Sequence, residues 1–215
     1  KTRMALGIAA SSAGGLLQND GTMTMPLHAG SSAQDGVLAA MLAEDGFTAN
    51  DSIFEGSGGF CEMFSGVVYN SKKVEKALGR TWYIVSPGFQ FKLHPCCFGP
   101  AGCQDAILEL KKKYDISPEN VEEVECRLSR QNVEAGAFIH SPKVAREARL
   151  SLEYQMAVAM IDGDLSLRQF TDDEKVKSPL TKELMSKVRT VCPPNMGVGM
   201  DFSQEVVVRL KNGKQ

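Results

Sequence analysis

Apolar positions recur at helical spacing through the first part of the chain and gather in short alternating runs through the rest. Residues 3–17 are rich in Ala, Gly and Ser, whose small side chains let neighbouring helices approach closely. They predict a helix inside a bundle, weakened toward its end by Gly14-Gly15. Residues 27–45 predict a second helix, with Leu27, Val37, Leu38, Met41 and Leu42 on or near one face. Shorter helices are expected over 60–64 and over 71–78, the latter with Ser71 as N-cap and Gly79 as stop.

The pattern then changes. Trp82-Tyr-Ile-Val85 and Phe89-Gln-Phe-Lys-Leu93 read as strands on either side of the turn Ser86-Pro-Gly88. A helix over about 100–113 follows, and then one turn at Ser117-Pro-Glu-Asn120. Residues 121–128 alternate like a half-buried strand. A long helix is predicted over 144–161, a polar helical stretch over 171–188, and a strand over 205–210 closed by Asn212-Gly213. No internal repeat or low-complexity tract is present. The predicted class is mixed: an all-α helical portion over 1–88, then a small α+β domain over 89–215, a sheet covered by helices.

Composition narrows the function. The chain has 215 residues and a formal net charge of −2, so it can bury a sizeable core and carries no field suited to nucleic acid or an anionic membrane. Lys111-Lys-Lys113 reads as a solvated helix end. No apolar run approaches the roughly 20 residues that span a bilayer. Six cysteines in a chain of this length do not make a disulfide scaffold, and a reducing compartment, cytosol or mitochondrial matrix, fits them. Gly56-Ser-Gly-Gly59 lacks phosphate-loop spacing, and no Gly-x-Ser-x-Gly elbow occurs.

The richest segment chemically is Gly21-Thr-Met-Thr-Met-Pro-Leu-His-Ala-Gly30. A flexible loop meets a helix start at Pro26, which sets His28 beside free backbone N–H groups, a place that suits an anion. His28 is either an acid–base or carboxylate-binding group, or a helix-start histidine bonded to a nearby carbonyl. Lys92 and His94 fall on one face of a predicted strand. They are either functional or, respectively, a solvated edge lysine and a structural strand-end histidine. His94 with Cys96, Cys97 and Cys103 invites a metal. Adjacent cysteines on extended chain point to opposite faces, however, and a packing role is expected instead, with no metal and no other cofactor. Arg149 lies on a predicted helix with Arg146 and Glu153 in neighbouring turns, which also permits a surface ion-pair ladder. Tyr154 reads as packed with its hydroxyl bonded.

Several blocks resemble the MmgE/PrpD family, which includes 2-methylcitrate dehydratases and cis-aconitate decarboxylases. They are Ala5–Gly15, the 21–30 loop, Gly46-Phe47, Gly58–Ser65, Lys92-Leu-His-Pro-Cys-Cys97 with Gln104–Ile107, Glu147–Tyr154, Ala157–Gly163 and Gln169-Phe-Thr171, in family order. The resemblance implies a helical domain and an α+β lid domain, with a small carboxylate substrate between them near 21–28 and 92–97. It implies a catalytic role for His28 and substrate contacts at Thr22, Thr24, Met25, Lys92, Cys97 and Arg149; His94, just before the proline, is a second catalytic candidate that could partly compensate for a histidine the family carries after it. Two positions depart from the family. A lysine usually stands where this chain has Met25, and a histidine stands two or six residues after the proline, where Cys97 and Ala101 stand here.

The expected function is a metal-independent lyase, dehydratase or decarboxylase, acting on a di- or tricarboxylate. An epimerase on the same scaffold and a catalytically retired partner subunit remain as alternatives. The resemblance further implies a homodimer, and a family length about twice that of this chain. The other acid–base groups would then come from a missing N-terminal half or a partner chain.

Overall fold

The computed structural model describes residues 1–65, 70–194, 196 and 203–215. The chain folds as two compact units, Lys1–Gln90 and Phe91–Gln215.

In the first unit, α1 (Thr2–Ser11) packs on α2 (Thr24–Glu44). Gly7 of α1 also faces the segment after α2, where a Cβ on it would come within 2.6 Å of the Cβ of Ala49. The helix predicted to reach residue 17 stops at Ser11. The chain must turn at Gly15, whose φ of +116° lies in the region that favours glycine. Helix α2 begins at Thr24, three residues before its predicted start, with Met23 at the N-cap and the Thr22 hydroxyl of the preceding loop accepting from the Thr24 N–H at 3.2 Å. Pro26 is tolerated inside the first turn, where no N–H is needed. Helices α3 (Phe60–Ser65) and α4 (Ser71–Ala77) follow. The N-cap of α4 is Asn70, whose side chain accepts from the Lys73 N–H, and not Ser71 as the sequence suggested.

The two strands expected over 82–85 and 89–93 do not form. Trp82–Val85 coil into turns, with the N–H groups of Val85 and Ser86 both donating to the Trp82 carbonyl. Alternating apolar residues make a strand only where a neighbouring strand takes their backbone bonds. Among the described residues no strand lies beside them, and Tyr83, Val85 and Phe91 stay exposed.

The second unit holds a substantial core. Helix α5 (Ala101–Tyr114) leads through a short 3-10 turn to β1 (Val121–Arg127). Then come α6 (Arg130–Glu134), α7 (Ala145–Ala148), α8 (Leu152–Asp162), α9 (Asp173–Lys177), α10 (Pro179–Ser186), β2 (Val188–Val191) and β3 (Glu205–Leu210). The sheet order is β2-β1-β3, with β2 parallel and β3 antiparallel to the central strand. Strand β2 was hidden at the end of the predicted 171–188 helical stretch, which Ser178-Pro179 also divides.

Alternation along β1 sends Val124 and Cys126 into the core with Ile107, Leu152, Met156 and Phe170. The opposite face carries Glu123, Glu125 and Arg127, which pair with Arg189, Arg209 and Glu205. The helix predicted over 144–161 is broken between α7 and α8. Ser151 caps α8 by accepting from the Tyr154 N–H at 3.2 Å, and the carbonyls of Arg149 and Leu150 accept from the N–H groups of Cys97 and Ile139, far from the helix in sequence. Among the described residues, no helix is long and apolar enough to cross a membrane.

Candidate functional site

The sequence-predicted site residues fall into two sets of four. Thr22, Thr24, Met25 and His28 stand in the first unit; Lys92, His94, Cys97 and Arg149 stand in the second.

In the first set, the early start of α2 changes the expected geometry. His28 lies one turn inside the helix, past the free N–H groups of the first turn. Its ring faces a cavity of about 580 Å³, lined also by Gly14, Asn19, Ser31, Ser32 and Asp35. Gly15 packs against the ring so closely that a Cβ there would stand 3.2 Å from its Cγ and Nδ1. Among the described residues the imidazole has no hydrogen-bond partner, so it is not the carbonyl-bonded histidine that the sequence also allowed. Thr22 shapes the loop itself, since its hydroxyl donates to the Asn19 carbonyl at 2.7 Å while accepting from Thr24. Met25, in the first turn of α2, is 48% exposed and brings no charge to this end of the helix.

The second set converges. The chain over 92–98 is irregular, so Lys92 and His94 do not share a strand face as expected. The His94 side chain is only 14% exposed, and both ring nitrogens are engaged. Nδ1 stands 3.2 Å from the Leu165 carbonyl, and Nε2 stands 2.9 Å from Oδ1 of Asp105 on α5. A main-chain carbonyl only accepts, so the Nδ1 bond requires a proton on that nitrogen. A cavity of about 230 Å³ opens here, lined by Lys92, His94, Cys96, Cys97, Gln104 and Asp105.

The two adjacent thiols sit in different surroundings. Burial, together with the neighbouring Cys97, pushes the Cys96 thiol up to about 12, against the pull of the Lys92 and Arg149 cations. The Cys97 thiol donates to the Ala135 carbonyl at 2.9 Å. It is seated against Gly136, where a Cβ would collide with the sulfur. Among the described residues, no group of three His, Cys, Asp or Glu side chains is placed to hold a metal ion.

Arg149 belongs to this set through its charge on Cys96 and through its backbone, since its carbonyl accepts the Cys97 N–H at 3.1 Å. Its Nη2 donates to the Phe170 carbonyl at 3.5 Å, and its Nε is buried without a partner among the described residues. The ion-pair ladder that its spacing allowed does not form through Glu153, which pairs with His140 at 2.7 Å. Tyr154 is wholly buried, with its hydroxyl donating to the Gln169 carbonyl, and burial raises its phenol. Sequence reasoning missed Asp105 as the partner of His94. An acidic residue in the second turn of the helix that follows the histidine was the available signal.

Two family-level profiles match this architecture: the MmgE/PrpD N-terminal domain over residues 1–71 and the MmgE/PrpD C-terminal domain over residues 94–215. Among individual relatives, the cis-aconitate decarboxylase of Mus musculus is 28% identical over 221 residues, covering 99% of this chain and 44% of that protein. The cis-aconitate decarboxylase of Homo sapiens is 27% identical over 219 residues, with the same two coverages of 99% and 44%. That of Aspergillus terreus is 29% identical over 199 residues, covering 86% of this chain and 40% of its own. The chain therefore spans less than half the length of these curated relatives. The C-terminal profile covers more than half of the chain, including His94, Cys97 and Arg149 of the second set and the His94 partner Asp105. This chain belongs to the MmgE/PrpD family.

Proposed function

We propose that this protein is a lyase for a small di- or tricarboxylate of the aconitate or citrate type, working by acid–base chemistry without a metal. The observation that carries the reading is His94, anchored through Nδ1 on a main-chain carbonyl and lining, with Lys92, a small cavity whose wall includes Cys96, itself within reach of the Arg149 charge. Decarboxylation of an aconitate-like acid breaks the bond to one carboxylate, and a positioned acid must protonate the carbon left behind. Dehydration needs a base next to a carboxylate and an acid for the departing hydroxyl. Both need cations that hold the remaining carboxylates.

Lys92 and Arg149 are the proposed carboxylate holders. His94 Nε2 is the working nitrogen, and its bond to the half-exposed Asp105 is the one that a substrate carboxylate replaces. His28, whose ring lines a cavity and has no hydrogen-bond partner among the described residues, is the second acid–base candidate. The names of the relatives support a decarboxylase in particular.

The test is incubation of the intact protein with citrate, 2-methylcitrate and cis-aconitate, following the ultraviolet absorbance of the double bond and carbon dioxide release together. Carbon dioxide from cis-aconitate is the expected result. No turnover of any of the three overturns the lyase reading.

Met25 favours a second reading, a family member whose pocket no longer turns over and which serves as a partner subunit. Activity gained only on Met25→Lys would select it. A homodimer is proposed in either case. Leu27, Val37, Leu38 and Met41 of α2 are all exposed, and such apolar area calls for a covering polypeptide. Sedimentation equilibrium tests it; a monomer at every concentration would exclude it.

A further inference from the structure

Gln104 and Gln155 are almost wholly buried, at 2% and 0% exposure. A primary amide in such a place is tolerated only when its donors and acceptor are met. Here the partners form a closed circuit. The Cys97 N–H donates to the Arg149 carbonyl at 3.1 Å, and the same carbonyl accepts from Gln155 Nε2 at 2.9 Å. Gln155 Oε1 accepts from Gln104 Nε2 at 3.0 Å, and Gln104 Nε2 also donates to the Cys97 carbonyl at 3.0 Å. The circuit thus begins on the N–H of Cys97 and closes on its carbonyl. Both amides have one orientation in it, because reversing either sets donor against donor or acceptor against acceptor.

A second clamp holds the next residues. Gln204 Oε1 accepts from the Cys103 N–H at 2.9 Å, and its Nε2 donates to the Gly99 carbonyl at 2.6 Å. Gly99 is itself pressed onto the chain, since a Cβ there would collide with the Asn132 carbonyl oxygen.

We propose that Gln155, acting through Gln104, is a positioning residue: it locks the peptide of Cys97 to that of Arg149 and so sets the Lys92–Cys97 segment and the Arg149 guanidinium in one register. Gln155 does not line the cavity, so it acts only through its neighbours. The purpose given to the circuit rests on the carboxylate site proposed above; the circuit itself does not.

The test compares three forms of the full chain. Gln155→Met keeps the shape and removes every polar bond. Gln155→Glu is kept neutral by burial, so its carboxylic O–H donates to the Arg149 carbonyl while its other oxygen accepts from Gln104. In Gln155→Met, hydrogen exchange at the Cys97 amide should quicken by about 10-fold or more while that of Val124 in the sheet stays unchanged. Alkylation of Cys97 by iodoacetamide should quicken by about 10-fold with Cys192 as the unaltered control. Gln155→Glu should return both rates to within about 3-fold of the unsubstituted chain.

Where the protein turns over, kcat should fall about 10-fold in Gln155→Met with KM changed less than about 3-fold, and recover in Gln155→Glu. Unchanged exchange and alkylation at Cys97 in a folded Gln155→Met overturns the proposal. Should that variant not fold, the unsubstituted chain decides. A Cys97 amide exchanging much faster than Val124 overturns it, and one equally protected, together with rescue by Gln155→Glu, supports it. Absence of turnover in the unsubstituted protein sinks the lyase reading and leaves the Cys97 rates to judge this one.

Discussion

Nε2 of His94 stands 2.9 Å from Oδ1 of Asp105, joining an irregular loop to the helix that begins a few residues later. The histidine is nearly buried and the carboxylate is 56% exposed, so the aspartate is the partner that can yield. On the lyase reading, His94→Gln should lower kcat/KM for cis-aconitate by about 100-fold or more, a typical loss for a general acid. Asp105→Asn removes a competing anion and should lower KM. Steady-state kinetics of the two variants check both directions, and a His94→Gln enzyme with native kcat/KM would remove His94 from the chemistry.

The seat of Cys97 is tight enough to read as stability. Gly136→Ala would drive a methyl into the Cys97 sulfur and its Cβ, well inside van der Waals contact. The overpacking should cost about 2 kcal/mol in urea unfolding. Cys97→Gly in the same chain removes both clashing atoms and should recover most of that loss relative to Cys97→Gly alone. Additive effects of the two substitutions would show that the contact is not the cause.

Met25 is half exposed near the start of α2, so Met25→Lys should change stability by no more than about 0.5 kcal/mol. Its effect belongs to binding. An ammonium there should tighten citrate in a calorimetric titration, and the gain should shrink in high salt. Equal affinity in both proteins would mean that position 25 does not meet the substrate.

The charged face of the sheet sets an acid limit. Arg127 foremost, then Arg209 and Arg189, hold the Glu125 carboxyl below the ordinary glutamate range despite its desolvation. A carboxyl lowered by folding contributes stability that is present above its unfolded value, about 4.3, and is lost as pH falls through the folded value. Thermal midpoints should therefore drop as pH is taken below about 4.3, and Glu125→Gln should flatten that drop while lowering the midpoint at pH 7. A pH profile unaltered by Glu125→Gln would remove this glutamate from the acid transition.

The elements legible in the sequence were those whose own residues carry the information. The apolar face and terminal glycine of α2, the small residues that open α1, and the alternation of Val124, Cys126 and Leu128 each sufficed to place an element, though not to fix where α1 ends. What failed depended on partners distant in sequence. Trp82–Val85 has the composition of a strand but, among the described residues, no strand beside it to take its backbone bonds. The 144–161 pattern suits one helix, yet Cys97, far earlier in the chain, takes the Arg149 carbonyl out of it. The site divides in the same way. His28, His94 and Arg149 were visible as residue types, while Asp105 and the buried glutamines become functional candidates only through what they touch.

The interruption between α7 and α8 bears on how this sequence can change. A continuous helix would satisfy the Arg149 carbonyl internally, and any substitution at Ser151 that favours such continuity would improve local propensity. It would also erase the acceptor on which Cys97 and Gln155 converge. Selection for a more regular helix and selection for a held cavity thus oppose each other at one serine. A redesign that rewards only helical regularity would discard the part of the chain that holds its candidate chemistry in place.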